Sequence, residues 1–290
     1  MAPLRIAVTG GSGRIGHQVV KQLLERGHHV LNLDRKPARE TLCKYVYIDL
    51  RHREQVQPVF EQVDAVCHLG EIPSMGTFSA EDTFAHNCQV GSVVMQTAAD
   101  LKLKRLIYTS TCQTYGCWSD PNVPPLRLPF DETHPLQPTN AYALSKASLE
   151  NYAQMVSRHD GLSIAIFRFP GVFAPQCDDD WSWLKKRTGR TDGMETYLHP
   201  DDAARAYVLA IENPRPGCEA YHFTADEVIS GVPLRGRLLE HHPDFPVLPK
   251  DWPAYKSPAL TDKAFKHFGW KASHNLMDIY RKKFGKEPHE

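Results

Sequence analysis

The 290-residue sequence lacks several features that define common classes of protein. It has no excess of either charge, because 34 Lys and Arg residues balance 34 Asp and Glu residues. Proteins that bind nucleic acids or membrane surfaces by general attraction need a basic excess, so we expect neither partner. The sequence also lacks an apolar run long enough to span a membrane, and its mean hydropathy is −0.44. The first residues enter a strand pattern without the apolar core of a signal peptide, which favours a cytoplasmic protein.

Cysteine is scarce, and its seven occurrences are scattered and odd in number. This usage predicts reduced thiols rather than a framework of disulfides. The closest pair, Cys112 and Cys117, does not have a usual zinc-binding spacing, and the fifteen histidines are scattered as well. We therefore predict no metal site.

The residues that are present form one strong local pattern, the glycine-rich stretch TGGSGRIG at residues 9–16. An apolar run precedes it and an amphipathic run follows it, as in a strand–turn–helix unit. Gly10 permits a tight turn, Gly13 lets the backbone approach a pyrophosphate, and Gly16 lets the helix pack closely on the strand. Phosphates would then face the positive end of the helix. The predicted dinucleotide contacts in this stretch are Gly10, Gly13, Arg14, Ile15 and Gly16.

Strand and helix patterns alternate through the first half of the chain. The expected strands after the first are Val30–Leu33, Tyr45–Ile48, Val63–Leu69, Arg105–Thr109 and Ser163–Phe167, with helices over Asp82–Ala99 and Ala141–Val156. This alternation predicts an α/β fold, a Rossmann-type doubly wound parallel sheet with helices on both faces. We expect residues 1–170 to form this dinucleotide-binding domain. Residues 171–290, with a helix over Asp201–Ile211 and a short strand over Tyr221–Phe223, form a small substrate-binding lobe, partly interleaved with the first domain.

An acidic residue, Asp34, ends the second predicted strand. A carboxylate there can accept hydrogen bonds from adenosine ribose hydroxyls and repel a 2′-phosphate, which favours NAD over NADP. Two alternatives stay open: Asp34 is a turn residue, or the following Arg35 and Lys36 neutralise the phosphate of NADP. Asp49 follows the next strand, either as an acceptor for the adenine edge or as an ordinary loop residue. The predicted cofactor contacts at these two strand ends are Asp34, Arg35, Asp49 and Leu50.

A tyrosine and a lysine, Tyr142 and Lys146, stand four residues apart in a helical pattern and therefore share one face. A free tyrosine is a poor base near neutrality, but a nearby ammonium and a cationic nicotinamide would lower its pKa. Tyr142 can then accept a proton from a substrate hydroxyl while hydride leaves. Such a pair alone arises often by chance. Here a hydroxyl-rich run that contains Thr111 follows the fifth strand, and Thr111 can align the reacting oxygen with Tyr142.

These patterns together resemble the extended short-chain dehydrogenases/reductases, also called the NAD-dependent epimerase/dehydratase family. The resemblance covers most of the chain and rests on TGGSGRIG, on CHLG at 67–70, on STCQTYG at 110–116, on YALSK at 142–146, on RFPGVFAP at 168–175, on YLHPDDAA at 197–204 and on FGW at 268–270. It implies Thr111, Tyr142 and Lys146 as the catalytic trio, with Leu69, Gly70 and Ser110 along the cofactor. Tyr142 and Lys146 are also predicted cofactor contacts, and Lys146 would hold the ribose. It also implies a homodimer.

Three features help to choose a reaction. Family members that dehydrate sugar nucleotides have an Asp–Glu pair directly after the catalytic Thr, where this chain has Cys112 and Gln113. The segment between Pro175 and Tyr197, which in sugar-nucleotide enzymes grips the nucleotide, is short and resembles that of uronate and other free-sugar dehydrogenases. This segment is also basic, so an arginine there could pair with a sugar carboxylate, although a solvated loop explains it as well. The candidate substrate contacts are Ser74, Thr111, Gln113, Arg187 and Arg190.

The leading hypothesis is an NAD-dependent oxidoreductase that oxidises a hydroxyl of a sugar or sugar acid. The first alternative is a sugar-nucleotide epimerase that uses the same trio but keeps its NAD bound. The second is a non-catalytic NAD-binding protein, for which erosion of the trio would be expected and is not seen.

Overall fold

The computed structural model describes residues 2–74, 76, 78–173 and 192–285. Their strands are β1 Arg5–Thr9, β2 His29–Asp34, β3 Lys44–Tyr47, β4 Ala65–His68, β5 Arg105–Thr111, β6 Ser163–Phe169, β7 Gly171–Val172, β8 Tyr197–Leu198 and β9 Cys218–His222. Seven of them form one parallel sheet in the order β3-β2-β1-β4-β5-β6-β9, and β7 pairs with β8 separately. The predicted doubly wound fold is thereby confirmed.

Eight α-helices lie within the described residues. They are α1 Arg14–Glu25, α2 Arg53–Phe60, α3 Ala80–Asp100, α4 Ala141–Asp160, α5 Pro200–Glu212, α6 Leu234–His241, α7 Asp262–Phe268 and α8 Leu276–Phe284. Side-chain caps start the longest two, since Ser79 accepts from the Asp82 N–H and Asn140 accepts from the Ala143 N–H. α4 ends at Gly161, whose φ of +75° suits the left-handed end of a helix.

Two apolar layers cover the sheet. On one face α1 and α5 pack together, and Val19, Leu23 and Tyr207 are buried there. On the other face α2, α3 and α4 cover the sheet with residues such as Val94 and Leu149. Because both faces are covered, the central strands are apolar on both sides, as β4 is. Ligands can therefore reach only the strand ends and the loops beyond them.

The order in which strands are added to the sheet reverses between β1 and β4. β2 and β3 extend the sheet on one side of β1, and β5, β6 and β9 extend it on the other. The loops after β1 and β4 leave the sheet on opposite sides, so a crevice opens between them at the carboxyl ends of the strands.

Two strands are longer than the sequence pattern indicated. β5 reaches Thr111 rather than Thr109, and β6 reaches Phe169 rather than Phe167. Polar Ser110 and Thr111 break the apolar pattern, yet both continue the ladder to β6. The extension matters because it places Ser110 and Thr111 on a strand rather than on a mobile loop.

The sequence analysis missed α2 and began the last strand of the sheet at Tyr221, three residues after β9 begins. α2 contains Pro58, which removes one backbone donor, but the helix ends two residues later and so loses little. Buried Val56 and Phe60, four residues apart, were the signal for it. β9 pairs with β6, so the second half of the chain contributes the last strand of the large sheet.

A buried polar network ties α4, β6 and β9 together. Arg168 on β6 pairs with Glu150 on α4, with 2.6 Å between Nη2 and Oε2, and its Nη1 donates to the hydroxyl of Tyr115 at 2.5 Å. That hydroxyl lies 2.5 Å from His222 Nε2, and His222 Nδ1 lies 3.1 Å from the carbonyl of Leu260. The Tyr115 hydroxyl, which accepts from Arg168, donates to His222, so the ring is neutral.

This network predicts acid sensitivity. Burial, aided by Arg168, lowers the pKa of His222 from 6.5 to about 3. The fold holds the neutral ring, so its contribution to stability is complete above pH 6.5 and is lost as the pH falls toward 3. Between about pH 7 and about pH 4, we expect the wild type to lose about 3 kcal/mol more free energy of unfolding than His222→Gln. Urea unfolding at both pH values measures this difference. The control His159→Gln, at an exposed ring, should follow the wild type.

Candidate active site

A cleft of about 990 Å³ lies at the switch point between β1 and β4. Every predicted cofactor, substrate and catalytic residue that the structure describes lines it, although β1, α4 and the β6–β7 turn are far apart in sequence. These residues are Gly10, Gly13, Arg14, Ile15, Gly16, Asp34, Arg35, Asp49, Leu50, Leu69, Gly70, Ser74, Ser110, Thr111, Gln113, Tyr142 and Lys146. Arg187 and Arg190 lie outside the described residues, so their role stays a prediction.

The glycine turn forms one end of the cleft. A Cβ on Gly16 would lie 2.1 Å from the carbonyl oxygen of Gly10, and one on Gly10, whose φ is +68°, would lie 2.9 Å from the backbone of Gly70. Gly13 has no side chain to cap α1 and stands at its N-cap. The backbone N–H groups at the start of α1 are therefore available to an anionic ligand, and this end of the cleft fits the pyrophosphate of a dinucleotide.

Asp34 stands at the end of β2, beside the glycine turn. Its Oδ2 accepts from the backbone N–H of Ser12 at 3.1 Å, and its Oδ1 accepts from that of Lys36 at 3.1 Å. These two bonds fix a carboxylate at the rim of the cleft, where ribose hydroxyls of a dinucleotide can reach it. Asp49 pairs with Arg51 through three side-chain contacts, and the hydrogen bonds from Arg51 hold the pKa of Asp49 well below its usual range.

The position of Asp34 predicts a cofactor preference. We expect Asp34→Asn to weaken NAD binding about tenfold and to tighten NADP binding, because the variant loses a charged acceptor for ribose and a repulsive charge for phosphate. Fluorescence titration with each reduced cofactor measures both affinities. Asp64→Asn, at the amino end of the sheet, is the control and should leave both unchanged. Unaltered affinities in Asp34→Asn would contradict the prediction.

The predicted trio converges where β5 ends. Tyr142 and Lys146 lie on one face of α4, with Lys146 Nζ 5.8 Å from the centre of the Tyr142 ring. The Thr111 hydroxyl donates to the Phe169 carbonyl at 3.4 Å and accepts the Gln113 N–H at 3.2 Å. Burial raises the pKa of Tyr142, and the ammonium of Lys146 and the nearby Thr111 hydroxyl oppose that effect without cancelling it. Geometrically, a hydroxyl placed between Thr111 and Tyr142 can be held and deprotonated there.

The sequence analysis missed Glu71, which contacts the trio. Glu71 follows β4, its side chain is only 2% exposed, and it forms an ion pair with Lys146. Its negative charge raises the pKa of Tyr142 and so opposes the effect of Lys146 that the sequence predicted. A charged residue three positions after the buried run of β4 was the only signal for it.

Other polar and aromatic groups also line the cleft. Ser74 and Gln113 lie there together with Trp118, Thr196 and Phe173, three residues that the sequence analysis had not identified. The Trp118 indole N–H donates to the Thr196 hydroxyl at 2.7 Å. An aromatic ring beside hydroxyl and amide groups suits a polyhydroxylated substrate.

Two buried polar residues hold the walls of the cleft. Glu150 accepts from the Ser110 hydroxyl at 2.5 Å, which fixes the end of β5 against α4. Asn87 on α3 accepts from the Ile72 N–H at 2.8 Å and donates to its carbonyl at 3.1 Å. The loop after β4, which carries Glu71, is thereby tied to α3.

Three side chains outside the cleft cluster with metal-binding chemistry. The Asp201 carboxylate lies 3.7 Å from His199 Nδ1 and 4.0 Å from His274 Nε2. The two imidazole rings stack 4.2 Å apart at an interplanar angle of 12°. Rings so nearly parallel cannot both direct a lone pair at one ion. His199 Nδ1 also accepts from the Asp201 N–H, so this cluster caps α5.

None of the helices in the described ranges is long and apolar enough to cross a membrane.

Residues 6–224 of the chain match the model of the NAD dependent epimerase/dehydratase family. A probable dTDP-glucose 4,6-dehydratase of Sinorhizobium fredii is 27% identical, with 96% of this chain and 91% of that protein aligned. A UDP-glucose 4-epimerase of Dictyostelium discoideum is 23% identical, and the alignment covers 96% of this chain and 94% of that protein.

Solved structures share the fold. A short-chain dehydrogenase/reductase superfamily protein of Agrobacterium tumefaciens with bound NAD superposes with a TM-score of 0.73, at 20% identity over 97% of this chain and all of that one. The UDP-glucose 4-epimerase of Thermotoga maritima gives a TM-score of 0.70, at 22% identity over 96% and 99% of the two chains. By the family match over most of its length, the chain belongs to the NAD dependent epimerase/dehydratase family.

Proposed function

We propose that this protein is an NAD-dependent oxidoreductase that oxidises a hydroxyl group of a sugar or sugar acid. The observation that carries the proposal is the convergence of Thr111, Tyr142 and Lys146 in the same cleft as the glycine turn and Asp34. Membership of an NAD-dependent family and the fit of the glycine turn to a pyrophosphate support NAD as the cofactor.

Each residue of the trio has one task in this reaction. Thr111 binds the substrate hydroxyl and holds it against Tyr142. Tyr142 acts as the base in its phenolate form, which the ammonium of Lys146 stabilises, and accepts the proton of the substrate hydroxyl. NAD, when bound, supplies the acceptor for the hydride.

The residues next to Thr111 do not favour dehydration, although three of the relatives are named as dTDP-glucose 4,6-dehydratases, one of them as a probable one. Elimination of water needs an acid and a base beside the substrate. Cys112 is fully buried, its thiol donates to the Arg168 carbonyl at 3.4 Å, and burial raises its pKa far above neutrality. Gln113 lines the cleft with an amide, which neither donates nor accepts a proton in catalysis. We therefore propose no dehydratase activity.

The second candidate is a sugar-nucleotide epimerase, and relatives that are UDP-glucose 4-epimerases support it. It uses the same trio but returns the hydride to the substrate. The short segment between Pro175 and Tyr197 favours the dehydrogenase, because it leaves little chain to enclose a nucleotide.

Reduced-nicotinamide absorbance distinguishes the two candidates. Purified protein is mixed with NAD and with free aldoses, uronic acids and sugar nucleotides in turn. Steady production of NADH from one free sugar supports the dehydrogenase. If the purified protein instead carries NAD, releases no NADH and interconverts sugar nucleotides, the epimerase replaces the dehydrogenase as the proposed function. A homodimer packed through α3 and α4 stays a prediction, and the molar mass in solution, measured by light scattering, tests whether a dimer forms.

A further inference from the structure

We propose that Glu71 is a positioning residue that holds the ammonium of Lys146 in an ion pair with no net charge. Glu71 thereby sets the pH at which the coupled Tyr142 and Lys146 side chains lose their first proton. The proposal deepens the proposed function and rests on it, because it assumes that Tyr142 is the base. It concerns a carboxylate that the oxidation itself does not require.

One oxygen of Glu71 faces the trio. Its Oε2 contacts Lys146 Nζ and lies 3.4 Å from the Tyr108 hydroxyl, which donates to it. Lys146 Nζ donates at the same time to the Thr109 carbonyl at 2.7 Å. The ammonium is therefore held from two sides, and both Glu71 and Lys146 are almost fully buried. A buried pair of this kind is screened little by solvent.

The other oxygen of Glu71 binds a neutral histidine. His68 Nε2 lies 3.1 Å from Oε1, and His68 Nδ1 lies 2.7 Å from the Thr9 hydroxyl. That hydroxyl accepts the N–H groups of Leu69 and Gly70, each at 3.1 Å, so its own hydrogen points at His68 Nδ1. Nδ1 is then an acceptor, and Nε2 carries the hydrogen that binds Glu71. The histidine fixes the carboxylate without adding a second positive charge.

α3 leaves space for this carboxylate. A Cβ on Gly91 would lie 2.9 Å from Glu71 Oε1 and 2.6 Å from the side chain of Leu149. Only a residue without a side chain leaves that space free. The loop that carries Glu71 is itself tied to Asn87 on the same helix. Glu71 thus sits in a site that its neighbours keep open and rigid.

The charged and titratable groups around Lys146 come from four elements. They are Tyr142 and Glu150 on α4, Glu71 and His68 from β4 and its loop, Cys88 on α3 and Tyr108 on β5. Burial lowers the pKa of Lys146, and the charge of Glu71 is the main effect that raises it again. The Glu71 carboxylate, protonated Lys146 and neutral Tyr142 together carry no net charge.

Loss of that carboxylate has an unambiguous sign. Without it the same two groups carry one uncompensated positive charge in a buried site. The first proton to leave then leaves at a lower pH, whether it comes from Tyr142 or from Lys146, because the two sites titrate as a coupled pair. The structure thus assigns Glu71 the task of keeping the base protonated until the cleft gains positive charge.

The first test is the pH profile of kcat/KM for oxidation. In Glu71→Gln, which keeps the shape and loses the charge, we expect the acid limb to move down by about one pH unit or more. Glu71→Asp, which keeps the charge, should stay within a few tenths of the wild-type limb. An unchanged or raised limb in Glu71→Gln would overturn the proposal, because a purely structural role would lower the rate without moving the limb.

The second test needs no substrate. The absorbance of the Tyr142 phenolate is obtained in the near ultraviolet as the difference between a protein and its Tyr142→Phe counterpart, both saturated with NAD. We expect this titration to move to lower pH in the Glu71→Gln background, and an unmoved titration would contradict the role of Glu71. If the wild type oxidises no substrate, the proposed function fails, while this measurement still decides the role of Glu71.

Discussion

Tyr142→Phe is expected to lower kcat/KM for substrate oxidation by about 10³-fold. The variant loses only the phenolic oxygen, so the aromatic ring still fills its buried place on α4. Thr111 then holds a hydroxyl that has no base to receive its proton. Because Tyr142 is the cleft-lining group with a proton to exchange beside Thr111, the loss should fall on kcat rather than on KM. Steady-state kinetics at saturating NAD measure both constants.

The chain offers a matched control for that experiment. Tyr152 lies on the same helix and donates its hydroxyl to Gln96 on α3 at 3.0 Å, away from the cleft. Tyr152→Phe makes the same chemical change and should retain wild-type kcat/KM within about a factor of two. Tyr142→Phe should also bind NAD as the wild type does. If it kept more than a tenth of the wild-type rate, Tyr142 would not be the base.

Arg168→Met is expected to have the largest effect on stability, a loss of about 3–5 kcal/mol in the free energy of unfolding. The variant leaves the Glu150 carboxylate 2% exposed and without its cation. It also removes the donor to the Tyr115 hydroxyl, which orders His222. Burial of an unpaired charge costs more than the loss of the pair itself, so the damage comes from Glu150. Equilibrium unfolding in urea at neutral pH measures the loss.

Two further variants separate this cause from simple loss of packing. Arg168→Met with Glu150→Leu removes both charges and should recover much of the stability, because a buried pair and an apolar pair are often equivalent. Arg26→Met breaks the exposed ion pair with Glu212 and should cost much less than Arg168→Met. Equal losses for the single and the double variant would show that packing dominates.

The Glu150 network also bears on the positions of Thr111, Tyr142 and Lys146. Glu150 holds Ser110, which precedes Thr111 on β5, and Lys146 lies one helical turn before Glu150 on α4. The strand and the helix that carry the trio are therefore joined by a stable, buried contact. This arrangement explains why the trio can be positioned without the help of a flexible loop.

The sequence alone determined the elements whose signals are local. The glycine stretch at residues 9–16 and the acid that ends β2 follow from backbone geometry and strand length within one βαβ unit. Tyr142 and Lys146 share a helix face because they are four residues apart, whatever the rest of the fold does. The fold class followed from alternating patterns, which the seven-stranded sheet confirms.

Only the tertiary structure decided what surrounds these local patterns. Glu71 meets Lys146 across 75 positions of the chain, and Trp118 meets Thr196 across 78. No periodicity within a strand or helix encodes such a contact, since it depends on which strand ends become neighbours in the sheet. The pKa of Tyr142 illustrates the consequence: the helix brings it an ammonium, and the fold brings that ammonium a carboxylate. Local spacing specifies the reacting groups, whereas long-range packing specifies their charge and protonation.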